Sequence, residues 1–335
     1  MDNKKRNRRR YKVRYDRIFA AVLMLVVLIV LITSCSKGCS DDEGSGTAKN
    51  QTTTTNEITT DNFESPANDA ATTGTAEASS AVSDSGFTNI SVEAAQIGNG
   101  DLIVVNPLHE YKFQPGDTNL VTLYDHINEF YKVKDNVLML DENVINQLNA
   151  LMAAYASSPD LNIINGYRTF EEQNDKYTNA LSKIPGGYSD FHTGRLIEIG
   201  IFPEGQDSYF YSADGDYAWF AQNAPNYGFT LRYPENKEAI TGDESRGYAY
   251  RYVGIPHAIY MTQNNLCLEE YVEQLKTYTN TNPLKITNGT SEYEVYYVAA
   301  NTAANASTDV PVPSSRPYTI SGNNIDGFII TVTNS

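Results

Sequence analysis

Cysteine is scarce in this chain: three residues in 335, at Cys35, Cys39 and Cys267. So few thiols exclude a disulfide-stapled scaffold. Cys35 and Cys39 sit beside an apolar run, and Cys267 stands alone in another, where a lone cysteine reads as a small core hydrophobe. Basic residues are also short, 25 Lys and Arg against 41 Asp and Glu, for a formal charge of −16. That balance excludes a nucleic-acid partner, because phosphate binding needs basic patches. Histidine is also scarce, with four residues in all. Of these, His109 and His126 lack any metal-like spacing.

There is one long apolar run without a charge, Ile18 to Thr33. It follows a tip in which nine Lys or Arg face only Asp2 and Asp16, a net of +7, so the remainder carries −23 of the total of −16. A basic tip before an apolar run reads as a membrane-crossing protein with its tip in the cytoplasm. The run is slightly short of the ~20 residues that span a bilayer and a little long for a signal-peptide core. Two fates fit residues 18–34: an uncleaved transmembrane helix, or a lipoprotein signal in which Cys35 of Ile32-Thr33-Ser34-Cys35 is acylated. Either fate places the folded part outside the cell, tethered to the membrane.

From residue 35 to 98 the chain is rich in Ser, Thr, Ala, Asn, Asp and Glu, as in Thr52-Thr53-Thr54-Thr55. Such a segment buries too little apolar surface to offset its ordering entropy and is expected to be a disordered linker. As a flexible coil it would reach on the order of 40 Å.

Residues 99–281 read as one α+β domain. Asp101 to Asn106 is an expected strand. Asp141 is an expected N-cap of a helix through Ala156, with Val144, Leu148, Leu151, Met152 and Tyr155 at helical spacing. Leu161 to Ile164 reads as a strand entering Gly166-Tyr167-Arg168, and Thr169 with Glu172 forms a capping box that starts the next helix. Arg168 therefore sits at a strand-to-helix corner. Tyr217 to Asn223 and Leu266 to Tyr278 read as helices, Gly228 to Tyr233 and Tyr248 to Gly254 as strands. After Pro283, residues 282–335 form an expected β-rich appendage with strands at Tyr293–Val298, Pro317–Gly322 and Phe328–Val332.

The runs Asn165-Gly166-Tyr167-Arg168, Tyr188 to Ile199 and Tyr248 to Gly254 resemble the zinc D-alanyl-D-alanine carboxypeptidases of the VanY type, which trim the terminal D-alanine of peptidoglycan stem peptides. The resemblance spans roughly Asp101 to Tyr278 and implies the small zinc-peptidase fold shared with Hedgehog-like domains. In that family two His and one Asp hold zinc and a Glu acts as general base. The matching positions here are Phe191, Glu198 and Ala249 for the ligands and Arg246 for the base. A catalytic zinc needs three protein donors and an open position, and a guanidinium cannot serve as a base. The reading is therefore a cell-surface pseudoenzyme with no catalytic residue and no cofactor. His192, beside the first ligand position, is the weak alternative donor, with His257 as a further partner for a rebuilt site. Arg246 set against Glu198 with its own charge is one arrangement to test.

The resemblance implies that the peptide-holding parts survive. Arg168 matches the arginine that orients substrate, Ser189 the serine at the substrate terminus, and Gln173, Tyr167 and Tyr252 match cleft or scaffold positions. Three functions follow as expectations. The first is non-cutting binding of stem peptides or of a cell-wall or division protein. The second is an active carboxypeptidase using a rebuilt site, and the third is a structural module whose β appendage does the binding.

Overall fold

The computed structural model describes residues 86–113, 119–156, 160–289, 291–301, 303 and 306–334. All of them belong to the unit Ser79–Ser335. The basic tip, residues 18–34 and most of the expected linker lie outside the described residues. No helix among the described residues is long and apolar enough to cross a membrane.

The chain enters through β1 (Phe87–Glu93) and a 3-10 turn, Ala94–Gly98. Both fall inside the stretch expected to be a disordered linker, so the linker expectation is corrected for residues 87–98. Phe87, Ile90 and Val92 supply an apolar face that packs against Tyr296, Val310 and Phe328. That burial offsets the cost of ordering a segment whose composition alone looked too polar.

The expected strand at Asp101 to Asn106 is absent. Leu102, Ile103, Val104 and Val105 are buried, yet their backbone groups are met singly rather than by a ladder. Ser321 Oγ accepts from Leu102 N at 2.9 Å, and Asn323 O accepts from Val104 N at 3.1 Å. Asn324 Nδ2 donates to Val104 O at 2.9 Å, and Arg232 Nη2 donates to Val105 O at 3.3 Å. Partners more than a hundred residues away thus satisfy what a neighbouring strand would otherwise satisfy.

The central element is a mixed sheet in the order β3 (Lys132–Val133), β5 (Leu161–Asn165), β6 (Leu196–Ile201), β9 (Arg246–Tyr252), β8 (Phe229–Tyr233), with β7 (Tyr209–Phe210) also on β6. A short pair, β2 (Leu120–Thr122) and β4 (Met139–Asp141), leads into α1 (Glu142–Tyr155). Asp141 caps α1 by accepting from Asn143 N, and the helix stops at Ala156 in a left-handed conformation (φ 44°). Its buried stripe, Val144, Ile145, Leu148, Leu151, Met152 and Tyr155, recurs at i, i+3, i+4 and i+7 and covers one face of the sheet.

β6 is buried along its whole length, and its alternation sorts the two faces. Ile197, Ile199 and Ile201 join the α1 core. Cross-strand partners share a face, and the register pairs Ile197 with Tyr250, Glu198 with Ala249 and Leu196 with Arg251. Glu198, Ala249 and Arg251 therefore lie on the face away from α1. The remaining helices are α2 (Phe170–Thr178), α3 (Ala218–Asn223), α4 (Glu238–Thr241), α5 (Ile255–Gln263) and α6 (Leu268–Leu275).

The C-terminal strands β10 (Leu284–Asn288), β11 (Ser291–Ala299), β12 (Ser307–Pro313), β13 (Tyr318–Gly322) and β14 (Gly327–Asn334) include the three expected ones. Four form an antiparallel sheet in the order β10-β11-β14-β13, while β12 pairs with β1 from Phe87↔Pro313 to Glu93↔Ser307. They are not an appendage. Leu102, Val104, Val253, Met261, Leu268 and Leu275 share one buried cluster with Leu284, Ile286, Val295 and Ile329. His257 on α5 reaches Tyr271 Oη (2.7 Å) on α6 and Thr331 Oγ1 (3.0 Å) on β14. Cys267 is buried in the expected manner of a core hydrophobe.

Candidate functional site

β5 ends at Asn165, and the chain turns through Gly166 and Tyr167 to Arg168 before α2. Tyr167 N donates to Met139 O (2.9 Å) and Arg168 N to Phe191 O (3.3 Å). A Cβ on Gly166 would stand 2.7 Å from Met139 O, so the close approach of β4 requires glycine there. The capping box is present: Thr169 Oγ1 accepts from Glu172 N (3.1 Å) and Glu172 Oε2 from Thr169 N (2.9 Å). The corner aims Arg168 into two cavities of about 450 and 440 Å³ that share Asn165, Arg168 and Lys176. The larger is also lined by Glu198, Asp243, Arg246 and Tyr248.

The four positions that the sequence resemblance singles out, Phe191, Glu198, Arg246 and Ala249, meet here. The Phe191 ring carries the Arg168 guanidinium, whose Cζ lies 3.7 Å from the ring centroid, a cation–π geometry. Glu198, buried, accepts from Asn165 Nδ2 at 2.6 Å and from Arg246 Nη1 at 3.1 Å. Ala249 is buried with Phe191, Leu196 and Tyr233 in a small apolar cluster. Arg246 lies over the Tyr233 ring at 4.2 Å and also pairs with Asp243. Its Nε is buried without a hydrogen-bond partner.

Arg246 reaches this place through an irregularity. Between Leu231↔Tyr250 and Tyr233↔Arg246, β8 advances two residues while β9 advances four. Such an insertion re-aims side chains, a common device beside functional sites.

Burial, the largest influence, pulls Arg168 below the ordinary arginine value; Glu198 opposes this and the like charge of Arg246 adds to it. Burial also acts to lower Arg246, but Tyr233, Asp243 and Glu198 outweigh it and hold Arg246 above its ordinary value. Both guanidiniums stay charged.

His192 is fully buried and faces away from this arrangement. Its Nε2 accepts from Gly187 N (3.0 Å), so Nδ1 carries the proton and donates to Arg168 O (2.7 Å). Burial lowers its pKa. Both ring nitrogens are spent on backbone, so His192 pins the loop to the corner rather than acting as a donor. His257 is likewise engaged on both nitrogens, at the C-terminal sheet.

The five expected peptide-holding residues separate. Arg168 lines the cleft, and Gln173 stands behind it, accepting from Arg168 Nη1 (3.0 Å) and donating to Ile184 O (2.7 Å). Tyr167 lines the adjoining cavity. Ser189 is buried just before the 3-10 turn Asp190–Thr193. Tyr252 is a correction. It shares the pleat of Tyr250, packs on Phe229 and lines a different cavity of about 290 Å³ with His257. Strand alternation sends it away from the face of Glu198 and Ala249.

Sequence reasoning missed Asn165 and Asp243, which complete the polar shell, and a buried ion network beneath it. Asp190 accepts from Arg232 Nε (2.5 Å) and Arg251 Nε (3.0 Å), and Arg232 Nη2 continues to Glu269 (2.7 Å). The only hint was charge in otherwise apolar strands.

Residues 137–255 match the family model described as VanY, D-alanyl-D-alanine carboxypeptidase. A D-alanyl-D-alanine carboxypeptidase of Enterococcus faecium is 32% identical over 250 residues, 71% of this chain and 76% of that protein. The chain belongs to the VanY family. The fold agrees: the vancomycin resistance D,D-dipeptidase VanXYg, solved in complex with a D-Ala-D-Ala phosphinate analog, superposes with a TM-score of 0.66. That structure is 29% identical and covers 74% of this chain and 99% of its own.

The expectation of no cofactor is corrected by a relative. A vancomycin resistance D,D-pentapeptidase VanY from a VanB-type cassette was solved in complex with Zn(II); it is 26% identical, covers 51% of this chain and 98% of its own, with a TM-score of 0.40. At the positions where the sequence resemblance would put the ligands, Phe191, Glu198 and Ala249 offer one carboxylate, already bonded to Asn165 and Arg246. That set does not fit the three protein donors of a catalytic zinc centre.

Proposed function

We propose that this VanY-family domain binds the D-alanine-terminated end of a peptidoglycan stem peptide and holds it without cutting it. The observation that carries the reading is the ion pair of Arg246 with Glu198, Arg246 standing where the sequence resemblance would put the general base. A guanidinium has donors only and cannot take a proton from an attacking water. Arg168, laid over Phe191 and steadied by Gln173, keeps the planar donor geometry that suits a peptide carbonyl or carboxylate. The D-Ala-D-Ala analog bound by VanXYg supports the same class of ligand.

The test is calorimetric titration of the full chain with N-acetyl-D-alanyl-D-alanine, beside a D-alanine release assay run with Zn(II) supplied. Binding without release is expected. Release at a rate comparable to an active relative overturns the reading and favours hydrolysis, the activity in the name of the Enterococcus faecium relative.

The location outside the cell is part of the same proposal, with residues 18–34 as the tether. Fractionation with protease digestion of intact cells tests it: loss of the folded domain to external protease is expected, and full protection sinks it.

A further inference from the structure

The larger cavity is lined by four cations and three carboxylates, within a chain of net charge −16. The carboxylates are all committed, Glu198 and Asp243 to Arg246 and Glu244 to Lys183 on the exposed rim. Among the described residues, Arg168 and Lys176 have no carboxylate within ion-pair distance. Four cations against three carboxylates leave this cavity with a net positive charge of one in an acidic protein, which favours an anion there.

Arg246 has capacity to share in that anion. A guanidinium carries five N–H donors. One on Nη1 goes to Glu198, one on Nη2 to Asp243, and Nε is closed off from solvent. One N–H on each Nη remains, on the edge of a side chain that is 20% open and lines the cavity. Both arginines are held flat on aromatic rings, Arg168 on Phe191 and Arg246 on Tyr233, so little freedom is lost when they engage a ligand.

We infer that Arg246 is a ligand-binding and specificity-determining residue, and that the free carboxylate terminus of the bound peptide is held jointly by Arg246 and Arg168. The inference rests on the peptide-binding reading above. It assigns to a substituted catalytic position the task of distinguishing a peptide acid from its amide. The pair with Glu198 and Asp243 positions the guanidinium edge for that purpose.

The experiment is calorimetry on the full chain with N-acetyl-D-alanyl-D-alanine and with its C-terminal amide. Wild type is expected to prefer the acid by about tenfold or more, as charge-assisted hydrogen bonds require. Arg246→Lys keeps a charge for Glu198 but loses the planar fork, and is expected to erase most of the preference while amide affinity stays within about threefold. A triple variant, Arg246→Met with Glu198→Met and Asp243→Asn, removes the cation and both of its carboxylates together, so that none is left enclosed alone, and is expected to do the same. An undiminished preference in both variants, with Arg168→Met abolishing binding, overturns the inference and leaves the peptide-binding reading standing. Failure of wild type to bind either peptide overturns both.

Discussion

Arg246 donates to Glu198 at 3.1 Å across a gap of 48 residues in sequence, joining strands β9 and β6 in a single ion pair. The pair is enclosed, with the carboxylate side chain 6% and the guanidinium 20% exposed.

Reversing one charge should therefore be costly. Arg246→Glu sets two carboxylates against each other and also faces Asp243, and a loss on the order of 3 kcal/mol is expected. Denaturant melts of variant and parent measure it; a loss under about 0.5 kcal/mol, the scale of ordinary surface changes, would show the pair is not formed.

The buried network under the site should be less forgiving. Asp190→Asn leaves Arg232 and Arg251 facing each other without their shared carboxylate. Removing one partner from such a network costs about 3–5 kcal/mol. A melt within 1 kcal/mol of wild type contradicts this account.

Stability should fall in mild acid through His257. Burial depresses its pKa from 6.5 to about 4, slightly opposed by Asp101. The folded state then binds fewer protons than the unfolded one, so this contribution is full above about pH 6.5 and is lost as pH falls from there toward 4. The loss approaches about 3 kcal/mol at the acid end. Melts at pH 7 and pH 5 should differ in wild type and differ less in His257→Gln, where buried His192 still contributes; equal slopes in the two proteins refute the assignment.

Removing residues 283–335 should not leave a folded domain. The deletion strips Leu284, Ile286, Val295 and Ile329 from the cluster they share with Leu102, Met261 and Leu268, and leaves β1 without β12. Aggregation or loss of a cooperative melt is expected, and a soluble, cooperatively melting fragment would contradict the shared core.

Local signals were legible in the sequence. The cap at Asp141, the stripe on α1, the capping box at Thr169 and the strand feeding Arg168 all depend on residues within a turn or two of one another.

Tertiary structure decided the rest. Register and pleat, not sequence spacing, turned Tyr252 into the core and brought Arg246 to Glu198 through an irregularity in β9. His192 was one residue from a ligand position, and only the backbone folded around it showed both nitrogens spent. The buried run at Leu102 to Val105 is not a strand, since its partners come from Ser321 and Asn323 at the other end of the chain. Local propensity acts over a few residues, whereas burial and pairing couple positions that only the closed fold makes neighbours.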